Sequence, residues 1–155
     1  MEPDRKLRVC LAASAGGHLT QLLELSSCWR QYDVFCVSTN EVAVTKLRDY
    51  PIVYTVGEGN RKHPFRCLMI LLRCLSIALR HRPHVVISTG AAPACLFCLV
   101  SKALGSRIVW IDSIANIERL SLSGRIIRPF ASLCLTQWPE LAQRYRNVEY
   151  AGAII

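Results

Sequence analysis

A chain of 155 residues, 52% hydrophobic and 19% charged, has the size and composition of one folded domain and buries roughly two thirds of the surface its unfolded chain exposes. These proportions exclude a disordered tail, and the length leaves no room for two full domains, so residues 1–155 read as a single unit. The net charge of +8, from 19 Lys+Arg against 11 Asp+Glu, points to an anionic partner; with no basic arm, zinc-finger or RNA-recognition signature, that partner is not nucleic acid.

Residues 9–13 are an apolar run that meets Ser14, Ala15, Gly16 and Gly17, then His18, after which leucines recur with helical spacing to residue 23. This reads as strand, tight turn, helix. Paired glycines let the backbone take positive φ or approach a ligand closely, and the N–H groups of a helix start point into the same space. His18 sits at the mouth of that turn. Residues 33–38 form a second β-rich run, 41–48 a short helix capped by Asn40, 52–56 a third strand behind Pro51, and 57–63 a polar, basic loop.

The helix expected over 65–80 is apolar except for Arg66, Arg73 and Arg80, which recur every seven residues and share one face with about 20° of drift per heptad. Two readings fit it. Either the helix packs on the sheet with three solvated arginines, or it lies on an anionic membrane surface. Residues 84–89 form a near-continuous apolar strand of the kind buried on both faces. Thr89 and Gly90 then open a second small-residue turn, which serves either a ligand or the close packing of the next helix. Although 85–101 carries no charge, Gly90 and Pro93 interrupt it, so it reads as strand plus buried helix rather than a membrane span. A strand over 107–112 ends in Asp112, with Ser113 opening a loop to 121. Ser123 is expected to cap a helix to about residue 131, followed by a strand over 133–137, a proline-started helix over 138–144 and a last strand over 147–150.

Alternating β and α units predict an α/β, Rossmann-like, doubly wound parallel sheet with helices on both faces. Such sheets bind ligands at the carboxyl ends of their strands, so the turns near residues 13, 89 and 112 share one rim. That makes Ser14, Gly16, Gly17, Thr89, Gly90, Asp112 and Ser113 the candidate ligand contacts. His18 is a candidate general base, with simple capping of its helix as the alternative. Neither Gly-x4-Gly-Lys-Ser/Thr nor Gly-x-Gly-x-x-Gly occurs, which argues against NTPase and dehydrogenase chemistry. The eight cysteines lie almost all in apolar runs and read as core thiols of a reducing compartment. Cys95 and Cys98 have no second metal half-site, so no metal is expected. The charged start carries no secretory signal, which predicts a cytoplasmic protein.

Four segments together resemble a known family: Ser14-Ala-Gly-Gly-His-Leu-Thr-Gln-Leu-Leu23, Ile111-Asp-Ser-Ile through Leu120-Ser-Leu-Ser-Gly-Arg125, Gln137-Trp-Pro139 and Glu149-Tyr-Ala-Gly152. They look like the smaller, non-donor subunit of split GT-B glycosyltransferases, a group that includes bacterial capsule and exopolysaccharide subunits and the membrane-recruiting subunit of the eukaryotic two-subunit N-acetylglucosaminyltransferase. The resemblance implies the N-terminal half of a GT-B fold, with the chain stopping where a single-chain enzyme would cross into its second domain. It implies no cofactor of its own, because the nucleotide sugar belongs to a catalytic partner subunit. It further implies a lipid-linked glycan acceptor, His18 at the active cleft, and a peripheral place at the cytoplasmic face of a membrane, contacted through Arg66, Arg73 and Arg80. The alternative role is a non-catalytic scaffold that recruits and stabilises the catalytic subunit. Asp112 and Asn116 depart from the Glu and Arg expected of the eukaryotic members.

Overall fold

The structure is a computed structural model that describes residues 6–59 and 62–154. The charged start at 1–5, Asn60 and Arg61 of the basic loop, and Ile155 lie outside the described residues. The strands are β1 (Arg8–Ala13), β2 (Asp33–Ser38), β3 (Val53–Thr55), β4 (Val85–Gly90), β5 (Arg107–Ile111), β6 (Leu133–Thr136) and β7 (Glu149–Tyr150). They form one seven-stranded sheet in the order β3-β2-β1-β4-β5-β6-β7, every pair parallel. Between them run α1 (Gly17–Glu24), α2 (Glu41–Lys46), α3 (Pro64–His81), α4 (Ala92–Ala103), α5 (Leu122–Ile127) and α6 (Pro139–Arg144). A 3₁₀ turn at Ser26–Trp29, absent from the sequence reading, follows α1.

β1 is central and buried on both faces, which is why it reads as an unbroken apolar run. Its side chains alternate between two cores. Val9, Leu11 and Ala13 join Leu19, Leu22 and Trp29 under α1, whereas Cys10 and Ala12 join Phe35, Cys74, Phe97 and Cys98 under α3 and α4. Burial pushes the Cys36 and Cys74 thiols up to about 12 and raises Cys10 well above its ordinary value, so at neutral pH these behave as small apolar residues rather than nucleophiles.

Local chemistry sets the boundaries. Asn40 Oδ1 accepts from Val42 N at 3.1 Å and Ala43 N at 3.3 Å, the cap read from the sequence. The cap of α5 is Ser121 rather than Ser123, because the Ser121 hydroxyl accepts from Gly124 N at 2.8 Å. That helix also ends at Ile127 instead of near 131: Arg128 still has right-handed helical angles, but Pro129 has no N–H to carry the hydrogen-bond ladder further. α3 is one turn-complete helix beginning at Pro64, whose fixed φ suits a first position.

Candidate functional site

The strand order reverses between β1 and β4, the point at which an open α/β sheet splays its loops and leaves a crevice outside its carboxyl ends. The register between these strands also shifts at Ala12/Ala13. The turn after β1 is capped by Gly16 at φ +100, a conformation that glycine alone adopts cheaply, and no side chain caps the first N–H groups of α1. A Cβ at Gly16 or Gly17 would meet nothing within 4 Å, so this turn faces open space.

Across the crevice, His18 and Thr89 are clasped by two hydrogen bonds. Thr89 Oγ1 donates to His18 O at 2.6 Å, and His18 Nδ1 lies 3.0 Å from Thr89 O. A carbonyl only accepts, so Nδ1 carries the proton and Nε2 of the neutral ring is a lone-pair acceptor. Nε2 has no hydrogen-bond partner among the described residues, and His18 lines a cavity of about 500 Å³. Gly90 lies under the ring at φ +133, and a Cβ there would stand 2.9 Å from Cε1 and Nδ1. The space that a side chain at Gly90 would need is occupied by His18.

The third turn divides. Ser113 lines the same cavity as His18, and its Oγ accepts from Gln21 Nε2 at 3.3 Å and Ala115 N at 3.3 Å. Asp112 lies beneath, 1% exposed. Its Oδ1 accepts from Ser121 Oγ at 2.5 Å and Trp110 Nε1 at 3.2 Å, and its Oδ2 from Ser121 N at 2.8 Å and Asn116 Nδ2 at 3.2 Å. A carboxylate holding four internal donors positions the 113–121 loop and the start of α5, and leaves little capacity for a ligand. Ser14 is half-buried at the end of β1 and does not line the cavity. Arg66 and Arg73 lie on α3 beside a separate cavity of about 360 Å³ with Val56, Gly57 and Met69; Arg80 is exposed further along the helix.

Sequence reading missed the polar rail along this rim. Gln137 Nε2 donates to Gln21 Oε1 at 2.9 Å and to Asp112 O at 3.1 Å, while Gln137 Oε1 accepts from Ile154 N at 2.8 Å. It ties α1, the β5 turn and the end of the chain together across 116 residues of sequence, a pairing that no local pattern announces. Gly124 was missed too: a Cβ there would stand 2.7 Å from Asp112 Oδ1. A still larger depression, about 1210 Å³, opens at the amino ends beside Arg8, Asp33 and His84. It lies on the rim opposite the one at which parallel sheets bind ligands.

A family model described as "Oligosaccharide biosynthesis protein Alg14 like" matches residues 36–154. The chain belongs to the Alg14-like family. A Yarrowia lipolytica relative is 29% identical over 121 residues, 74% of this chain and 56% of its own length. A Schizosaccharomyces pombe relative is 35% identical over 118 residues, 71% of this chain and 56% of its own. Both are named UDP-N-acetylglucosamine transferase subunit ALG14, and this Alg14-like chain spans about half of their length. Among solved structures, Acinetobacter baumannii MurG overlays with a TM-score of 0.77 at 16% identity, over 93% of this chain and 45% of that one. The Alg14-like chain thus has the Rossmann-like fold seen in GT-B glycosyltransferases and covers less than half of such an enzyme.

Proposed function

We propose that this chain is the acceptor-side subunit of a two-component glycosyltransferase that extends a lipid-linked glycan in polysaccharide or lipid-linked oligosaccharide synthesis. A partner subunit supplies the wall that binds the nucleotide sugar, and residues 1–155 form the other wall as one domain. The observation that supports the reading is the His18–Thr89 clasp at the β1/β4 switch point, which engages Nδ1 and leaves Nε2 as the ring's unpaired acceptor on a residue that lines the cavity.

In this reading, the acceptor hydroxyl donates a hydrogen bond to His18 Nε2. As its oxygen attacks the anomeric carbon, the proton passes to Nε2, the bond to the nucleotide diphosphate breaks and the configuration inverts. The Thr89 carbonyl holds Nδ1–H throughout and stabilises the imidazolium that forms. The Gly16–Gly17 turn and the first N–H groups of α1 favour negative charge on the bound acceptor. In the assembled complex, His18→Ala is expected to lower turnover by about 10²–10⁴-fold. Unchanged turnover leaves the scaffold role as the surviving explanation.

α3 supplies membrane contact. Phe65 (83% exposed), Leu68, Met69, Leu72, Leu75 and Leu79 form its outward stripe, flanked by Arg66, Arg73 and Arg80, with Ile70, Cys74 and Ile77 facing the core. An apolar stripe edged with cations is the pattern of a helix lying in an anionic interface, here at the cytoplasmic face of a membrane. No helix among the described residues is long and apolar enough to cross one. The arginines are the rim of that contact; the leucines and Phe65 are its centre.

A further inference from the structure

The cavity that His18 lines is also lined by α4 and α5 and forms a trough between them. Its first part is polar, with His18 and Asn116 on its walls. The remainder is walled by Leu96 and Leu99 of α4 and by Leu122 and Ile126 of α5, one helical turn apart. Two of the three serine hydroxyls on its walls are already engaged: Ser121 Oγ serves Asp112 and Gly124 N, and Ser113 Oγ accepts from Gln21 and Ala115 N, while Ser123 is the third. What these walls offer an occupant is therefore mainly apolar surface. Leu122 and Ile126 are 42% and 46% exposed, unusual for paired apolar residues with no partner across them.

We infer that this trough is a subsite for hydrocarbon: it holds the part of an acceptor's isoprenoid or other aliphatic chain nearest the head group while the head group lies against His18. The inference rests on the acceptor-binding reading above and deepens it. Three observations select a chain rather than a sugar or a protein segment. The trough is continuous with the reacting site, so its occupant is joined to the molecule at His18. Its volume, about 500 Å³, is that of a small-ligand pocket and not of the broad surface a protein partner needs. A sugar would find most of its hydroxyls facing leucine and isoleucine, at the cost of unpaired polar groups. α4 packs between α3 and α5 in one helical layer, so a chain leaving the trough emerges on the layer that carries the exposed stripe of α3.

The test is calorimetric titration of the full chain with farnesyl phosphate below its micelle concentration, with inorganic phosphate as the comparison. Wild type is expected to bind farnesyl phosphate at least about ten-fold more tightly than phosphate, since burying even a few methylenes is worth that much. Leu122→Trp and Ile126→Trp, at exposed positions that tolerate a larger side chain, fill the trough and are expected to weaken farnesyl phosphate about ten-fold without changing phosphate binding. Folding is checked by melting each variant, and Leu122→Ser, which removes apolar wall without adding bulk, is expected to weaken binding in the same direction. Tryptophan variants that bind farnesyl phosphate like wild type overturn the subsite. So does equal affinity for farnesyl phosphate and phosphate, or loss of partner binding with farnesyl phosphate affinity intact. The acceptor reading fails separately, by unchanged turnover of His18→Ala in the complex.

Discussion

Gly90→Ala is the sharpest test of how the crevice is built. The backbone at Gly90 has φ +133, a region alanine enters at a cost of about 1–3 kcal/mol, and the new Cβ would stand 2.9 Å from His18 Cε1 and Nδ1. Because the ring must move, the Nδ1–H bond to Thr89 O is strained or lost, which adds about 1 kcal/mol. The sum, about 2–4 kcal/mol, corresponds to a fall in melting temperature of about 5–15 °C for a domain of this size. The informative assay is a double-mutant cycle by thermal or denaturant unfolding of wild type, Gly90→Ala, His18→Ala and the pair. With the imidazole gone the steric part of the cost disappears, so the two substitutions should couple by about 1 kcal/mol or more in the relieving direction. Strict additivity refutes the claim that Gly90 exists to seat His18, and a Gly90→Ala protein as stable as wild type refutes the strained backbone as well. Under the proposed function, the same substitution in the assembled complex displaces the ring by about 1 Å and is expected to lower turnover about 10²-fold.

Asp112→Asn keeps the shape but replaces a charged acceptor of four hydrogen bonds by an amide whose NH₂ faces donors; it is expected to cost about 2–4 kcal/mol by chemical denaturation. His81, stacked on Phe35 at 4.6 Å and 2.8 Å from the Tyr54 hydroxyl, has its pKa lowered below 6.5 by burial first and by Arg80 and Arg8, against the opposing pull of Asp33. The fold thus favours the neutral ring, so its stabilisation is complete above pH 6.5 and is lost as pH falls through the lowered value; melting temperature should drop on acidification, and less in His81→Phe, which keeps the stacking. Arg66→Glu/Arg73→Glu/Arg80→Glu removes about 1 kcal/mol of attraction per arginine at an anionic surface, so sedimentation with phosphatidylserine vesicles should weaken by about 10²-fold or more; wild-type binding by that variant refutes the α3 contact.

Most of the architecture was legible because its signals are local. An apolar run buried on both faces, a glycine pair and a histidine at a helix start specify β1, its turn and α1 wherever they occur, and Asn40 announces α2 by its own side chain. The α5 boundary was misread because Ser121 and Ser123 are chemically equivalent candidates, and only the placement of Asp112 chooses between them: its carboxylate fixes Ser121 N and Oγ and so makes that residue the cap. The same cause hid the part Asp112 plays. An acid at the end of a strand looks like a ligand contact until the four donors around it, drawn from residues 110, 116 and 121, are seen to converge. For α3 the arginine spacing was visible while the decisive fact, which apolar residues stay uncovered, depended on where α4 packs.

The strand order explains why the His18 crevice and the exposed apolar face of α3 lie on one small domain. Right-handed crossovers place α1 and α2, which lead outward from β1 to β2 and β3, on one face of the sheet. The chain must then return past β1 to lay down β4, and that return carries α3, α4 and α5 to the opposite face. The single reversal therefore opens the crevice, brings His18 from one helical layer against Thr89 from the far side of the switch point, and makes α3 the outer helix of the other layer. Under the proposed function this geometry has a consequence for the acceptor. Its head group would meet α1 from above the rim while its chain lies along α4 and α5 toward the surface of α3, so a lipid-linked substrate could reach His18 without leaving the bilayer. Tethering the domain to vesicles through an added anchor should then restore turnover to the α3 arginine variant, whose defect is one of location, but not to His18→Ala, whose defect is chemical.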